Sequence, residues 1–134
     1  MKELIEKRFP IGLAAAYIED GGRVLFLGKA LADGRREFEL PCALVYPGDD
    51  AAMVAIRAAK QFAGLDCEVT CIKYQGKING GSRKRKRLVP FMAFAARSKS
   101  LHAVAKLPYT SIGWMTLDQA KSAKLSRNFS YATV

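Results

Sequence analysis

Residues 39–65 read ELPCALVYPGDDAAMVAIRAAKQFAGL, and this stretch decides how the rest of the chain is to be placed. Pro47-Gly48 is turn chemistry, and Asp49-Asp50 after it offers an N-cap and a favourable charge for a helix. From Ala51 to Ala63 no glycine or proline interrupts the chain, and Gly64 stands where a left-handed cap belongs. The pattern predicts a helix over 51–63. Its only charged residues are Arg57 and Lys60, so it is cationic, alanine-rich and apolar round most of its circumference, as a buried helix is.

On the N-terminal side, Ile11–Ile18 and Arg23–Lys29 are β-type runs separated by Glu19-Asp20-Gly21-Gly22, which predicts a hairpin. A strand-like Glu37–Leu40 follows. On the C-terminal side, Glu68–Ile78 and Leu88–Arg97 are two more β-type runs, and Asn79-Gly80-Gly81-Ser82 between them has the chemistry of a hairpin turn. Ile112–Met115 reads as a short strand, with Thr116 capping a small helix over Leu117–Ala123; the polar tail from Leu125 reads as irregular. Strands, a long helix, further strands and a short helix make a mixed α/β (α+β) chain, an open sheet covered by helices. With 134 residues and no linker or repeat, residues 1–134 read as one domain.

The chain carries 22 Lys and Arg against 12 Asp and Glu, a formal net charge of +10. Most of the excess is local: residues 68–106 hold ten cations and one anion, and five of the cations are the consecutive run Arg83-Lys84-Arg85-Lys86-Arg87. A localised positive field attracts an anionic ligand, a nucleotide phosphate or nucleic acid. The plainer reading is a solvated turn at a hairpin tip. Cys42, Cys67 and Cys71 are odd in number and sparse, which points to a reducing interior and a cytoplasmic protein. With His102 the sole histidine, a four-ligand zinc site is not expected. Nothing approaches the roughly 20 apolar residues of a membrane-spanning helix. Gly80-Gly81-Ser82 lacks the lysine and helix of a P-loop, and His102 has no nucleophile-elbow partner. Tyr74, Phe91, Phe94 and Tyr109 offer aromatic faces near the basic run, with core packing the expected fate of Phe91 and Phe94.

The segment 39–65 resembles the Nudix (MutT-like) family. The family's signature box is a glycine, five residues, a glutamate, seven residues, Arg-Glu, an aliphatic, any residue, Glu-Glu, any residue, Gly and an aliphatic. Laid on this chain without a gap, it runs from Ala43 to Leu65. Its first glutamate falls on Asp49, its arginine on Arg57, and its closing pair on Gly64 and Leu65; Leu40-Pro41, Pro47-Gly48 and a late Trp114…Leu117 also fit the family habit. The three helix glutamates fall on Ala58, Gln61 and Phe62, none of them a carboxylate. The resemblance covers about residues 11–123 and implies a Nudix-like mixed β-sheet between helices.

In working members of the family the helix glutamates hold Mg²⁺ against a substrate diphosphate. Mg²⁺ is a hard ion that takes oxygen ligands, commonly carboxylates and phosphates, and this helix offers none. The resemblance therefore implies a degenerate domain that binds a phosphate-bearing ligand, a nucleotide or RNA, without cofactor and without hydrolysis. Arg83, Lys84, Arg85, Lys86, Arg87 and Glu39 are its candidate ligand-binding residues. The competing expectation is a divergent Mg²⁺-dependent hydrolase of nucleoside diphosphate-linked substrates, with metal ligands relocated to Glu37, Glu39, Asp49 or Asp50. Each of these has a plainer role, the aspartates as helix caps and the glutamates as one face of a strand. A third expectation, a subunit-packing domain, implies a homodimer. Phe62 is expected in core or interface packing and Gln61 on the surface.

Overall fold

Every residue from Gly12 to Ile18 is buried, and a strand buried on both faces belongs in the middle of a sheet. In a computed structural model, which describes residues 10–79 and 88–123, this strand, β1 (Gly12–Asp20), has three neighbours. β2 (Arg23–Ala30) returns antiparallel through a two-residue turn, Asp20 opposite Arg23, with Gly21 and Gly22 at φ 56° and 81°. Two successive positive φ values suit the twist of a hairpin and favour glycine at both places. β3 (Arg36–Glu39) pairs with β2, and β4 (Cys42–Val45) runs antiparallel to the first half of β1.

The first helix, α1, spans Ala51–Ala63, the bounds the sequence predicts, and Gly64 takes the left-handed conformation at φ 70°. β5 (Cys67–Asn79) and β6 (Leu88–Ser98) form an antiparallel pair, and β6 lies parallel to β1. β7 (Ser111–Met115) returns to β2, and α2 (Leu117–Ser122) begins at a capping box in which Thr116 and Gln119 exchange side chain-to-backbone bonds. Among the described residues the result is a mixed seven-stranded sheet with two helices, its main path running β3-β2-β1-β6-β5. No helix among the described residues is long and apolar enough to cross a membrane.

The alternation of β1 divides the core in two. Ala14, Ala16 and Ile18 face α1 and meet Val54, Ala55, Ala59 and Ala63. Leu13, Ala15 and Tyr17 face the other way, onto Phe26, Leu40, Phe91 and Ala93. Alanine on both the strand and the helix lets α1 lie close to the sheet. Its outer face stays exposed at Met53, Arg57, Lys60 and Gln61, so the helix is covered on one side rather than all round.

The sequence reading needs two corrections. Residues 42–45, between two prolines, form a strand that their pattern does not announce. Of the aspartate pair only Asp50 caps the helix, its Oδ1 accepting from Ala52 N at 2.9 Å and Met53 N at 3.4 Å. Asp49 instead closes the turn before it. The hairpin expected around residues 79–88 stands at its base, where Asn79 pairs with Leu88; residues 80–87, including the basic run Arg83–Arg87, lie outside the described residues.

Candidate functional site

The loop that enters α1 is a tight turn over 46–49. The Asp49 N–H donates to Tyr46 O and the Tyr46 N–H donates to Asp49 Oδ2, both at 3.0 Å, while Gly48 takes φ 91°. Proline followed by a positive-φ glycine is the pattern of a type II turn. Asp49 thus has one carboxylate oxygen engaged locally. On the helix, Arg57 and Gln61 are exposed, Ala58 is 1% exposed, and Phe62 is half-buried. Positions 58 and 62 are one turn apart and share a face.

That face meets a residue from far along the chain. After β6, residues 103–106 run against the last turn of α1. The Val104 N–H donates to Ala63 O and the Lys106 N–H to Phe62 O, each at 3.0 Å, which satisfies carbonyls a helix end leaves open. The Tyr109 N–H then donates to Lys106 O at 2.9 Å, and the Thr110 N–H to Gly28 O at 2.8 Å. Tyr109 is held between helix and sheet, its ring edge-on to Phe62 with centroids 5.4 Å apart. Its hydroxyl donates to Glu39 Oε1 at 2.8 Å, and Lys29 Nζ lies 3.2 Å from the same oxygen.

Glu39 is 7% exposed, and its carboxylate is stabilised by a hydroxyl and an ammonium rather than left bare. Burial pushes the Tyr109 phenol up from its ordinary value, with the neighbouring Cys42 and Glu39 acting in the same direction. The Cys42 thiol is pushed up too, first by burial and then by the Glu39 charge, against a smaller pull downward from Lys29. Cys67 is also raised, mainly by burial, whereas Cys71 is exposed on β5. Only a thiolate attacks an alkylating reagent. With iodoacetamide at pH 8 we expect Cys71 to react first and Cys42 and Cys67 to lag about tenfold or more, as peptide mass mapping over time will read.

Box positions 49, 58 and 62 and the nearby carboxylates Glu39 and Asp50 each have a local partner or a packed neighbour. Ala58 is sealed, Phe62 is packed on Tyr109, Glu39 is engaged with Tyr109 and Lys29, and Asp50 is engaged with the helix N–H groups. Among the described residues no three of His, Cys, Asp and Glu come together as a metal-ligating group. Glu37, half-buried, stays apart from any such group. The other end of β4 offers an apolar slot of about 270 Å³, bordered by Gly12, Leu13, Val45, Pro90 and Met92, with Asp49 and Ala51 at the helix entrance. An apolar cavity with one polar wall is the usual form of a small-molecule site.

Two mixed, three-element features now decide the fold: β1 shared between an antiparallel and a parallel neighbour, and a loop-helix-loop packed across it. They recur in solved structures of Nudix proteins. A dihydroneopterin triphosphate pyrophosphohydrolase from E. coli superposes with TM-score 0.69 at 16% identity, over 91% of this chain and 91% of that one. A MutT protein from Methanosarcina mazei Go1 gives 0.67 at 16% identity over 94% of each chain. A Nudix hydrolase from Nitrosomonas europaea gives 0.68 at 14%, over 86% of this chain and 78% of that one.

This is the Nudix fold.

No family model and no curated protein sequence matches the chain significantly. The Nudix architecture is therefore shared at a level of identity that carries shape and not chemistry. On α1, where the sequence lays the family box, Ala58 is buried and Phe62 packs on Tyr109. Of the four aromatics offered as a stacking platform, only Tyr74 and Phe91 meet among the described residues. Phe91 and Phe94 are buried on opposite faces of β6, Tyr109 belongs with Phe62, and Tyr74 lies 6.0 Å from Phe91 in a tilted contact. His102 is exposed. The link between Tyr109 and Glu39 joins residues 70 positions apart, and no local pattern announces it.

Proposed function

We propose that the chain is a Nudix-fold domain that binds a phosphate-bearing ligand, a nucleotide or RNA, without hydrolysing it. The observation that carries this reading is the contact of Phe62 with Tyr109, at a position where the family box has a glutamate. An aromatic edge there excludes water and offers a cation no oxygen, so metal-assisted attack on a diphosphate has no support from this helix. Asp49 and Arg57 are the remnants of the box. Among the described residues neither belongs to a group of three metal-ligating side chains.

Binding without hydrolysis asks for less: an apolar slot for a base or ring and cations for its phosphates. The slot beside Gly12 and Met92 supplies the first. The run Arg83–Arg87 supplies the second in this reading, contacting phosphates with little sequence preference. If all five cations meet single-stranded phosphates, log K falls with log salt at a slope of about −3.5. Replacing Arg83, Arg85 and Arg87 by glutamate is then expected to weaken binding of an oligoribonucleotide and flatten the slope toward zero, measured by fluorescence anisotropy over a salt series. An unchanged slope contradicts the assignment of the basic run. In parallel, a panel of nucleoside diphosphate sugars, dinucleoside polyphosphates and ADP-ribose is expected to show no turnover with Mg²⁺ or Mn²⁺. Metal-dependent turnover abolished by Asp49→Asn contradicts the non-hydrolytic reading.

A further inference from the structure

β5 is the outer strand of its sheet, and its pairing with β6 slips twice. Val69 opposes Ala96 and Cys71 opposes Ala95, so Thr70 has no partner; Ile72 opposes Phe94 and Tyr74 opposes Ala93, so Lys73 has none either. Each slip is a bulge, which adds one residue and re-aims the side chains around it. Residues three apart on a regular strand face opposite sides of the sheet. Through the bulges, Thr70 and Lys73 border the same cavity.

That cavity, open to solvent on one side, has a volume of about 190 Å³ between Tyr17 and Glu19 of β1, Thr70 and Lys73 of β5, and Ala95 and Arg97 of β6. Tyr17 and Ala95 are partners in the parallel pair, and Glu19 follows two residues on, along the same face. The Thr70 hydroxyl donates to Ala95 O at 3.1 Å, tying the first bulge down. Lys73 Nζ stands 5.3 Å from the centre of the Tyr17 ring, a cation–π contact that holds the ammonium over the cavity. Among the described residues the ion pairs are Lys29–Glu39, Arg35–Asp33 and Lys60–Asp66, so Lys73 and Arg97 are paired with no described carboxylate, although Glu68 stands opposite Arg97 in the strand register. Two cations and one anion therefore surround the space, a net positive lining. Tyr17 packs with Phe91 and Ala93, in the half of the core that contains no residue of α1.

We propose that this cavity is a phosphate site, distinct from the slot beside α1 and independent of what that slot binds. Its size decides the ligand class: sites for drug-sized molecules run to roughly 300–1,000 Å³, so this one suits inorganic phosphate or the end of a phosphomonoester rather than a whole nucleotide. Arg97 and Lys73 supply charge-assisted donors to the oxygens, and Glu19 sets a limit on affinity by repelling the same anion.

The test is titration of the ¹⁵N-labelled protein with inorganic phosphate, glycerol phosphate and succinate at constant ionic strength, read by amide shifts. Phosphate is expected to move the amides of Glu19, Thr70, Lys73 and Arg97. Lys73→Met and Arg97→Met are each expected to weaken it about tenfold, and Glu19→Gln to tighten it about threefold. Glycerol phosphate matching inorganic phosphate supports an open phosphomonoester site; inorganic phosphate alone supports a closed one. Three results overturn the proposal: shifts elsewhere than at these residues, affinities unchanged by the Met substitutions, or succinate binding as tightly as phosphate.

Discussion

Ala58→Glu is expected to destabilise the protein by about 4 kcal/mol, although it restores a residue that the family box carries at this place. Ala58 is a buried residue of α1, 1% exposed, one turn before Phe62. A carboxylate placed there is desolvated without a partner, and the added volume has nowhere to go. For a domain of this size the loss corresponds to a fall in Tm of more than about 10 °C. Burial raises the new carboxyl's pKa above the unfolded value of about 4.3, so the charge part of the penalty is absent below that value and grows as pH rises through and beyond it, while the cost of the added volume remains at every pH. Differential scanning calorimetry at pH 4 and pH 7 will therefore show a gap to wild type at both, larger at the higher pH. Gln61→Glu, on the exposed side, is the control and is expected within about 0.5 kcal/mol of wild type. A glutamate tolerated at 58 as well as at 61 contradicts the packing described for this face.

Glu39→Ala is expected to cost about 3 kcal/mol, because it removes the acceptor of the Tyr109 hydroxyl and the anion beside Lys29. Lys29 is more than a third exposed and recovers part of its hydration, which keeps the loss below that of a fully buried pair. Glu39→Gln keeps a carbonyl for Tyr109 and is expected to cost about 1 kcal/mol; Tyr109→Phe falls between the two. Urea unfolding of the single and double variants should give a coupling of at least about 0.5 kcal/mol between positions 39 and 109. Additive losses would show that the 2.8 Å contact does not hold the two elements together.

The two predictions rest on parts of the molecule that differ in how legible they are in the sequence. The helix is legible at both ends because its signals are local: Asp50 accepts from the first-turn N–H groups and Gly64 takes the positive φ. The hairpin at Gly21-Gly22 is legible for the same reason. β4 is not, since four residues between prolines carry no periodicity and become a strand only by pairing with β1. In sequence Asp49 reads as a cap no less than Asp50 does; its bond with the Tyr46 N–H separates the two. That residues 58, 61 and 62 are not carboxylates is plain from the sequence, but what their side chains meet is not. Phe62 meets Tyr109 because residues 103–106 return along the end of α1, a long-range event set by backbone bonds to Phe62 and Ala63. Glu39 reads in sequence as one of two aligned strand carboxylates; burial and Tyr109 separate it from Glu37. The paired bulges at Thr70 and Lys73 leave no mark in the pattern of β5, because register belongs to two strands and not to one.

The central claim is that this Nudix-fold chain takes a phosphate-bearing ligand without a metal. Isothermal titration of a non-hydrolysable ADP-ribose analogue, with Mg²⁺ and then with the metal chelated, tests it most directly. The account predicts the same affinity in both titrations; an affinity that appears only with Mg²⁺ contradicts it.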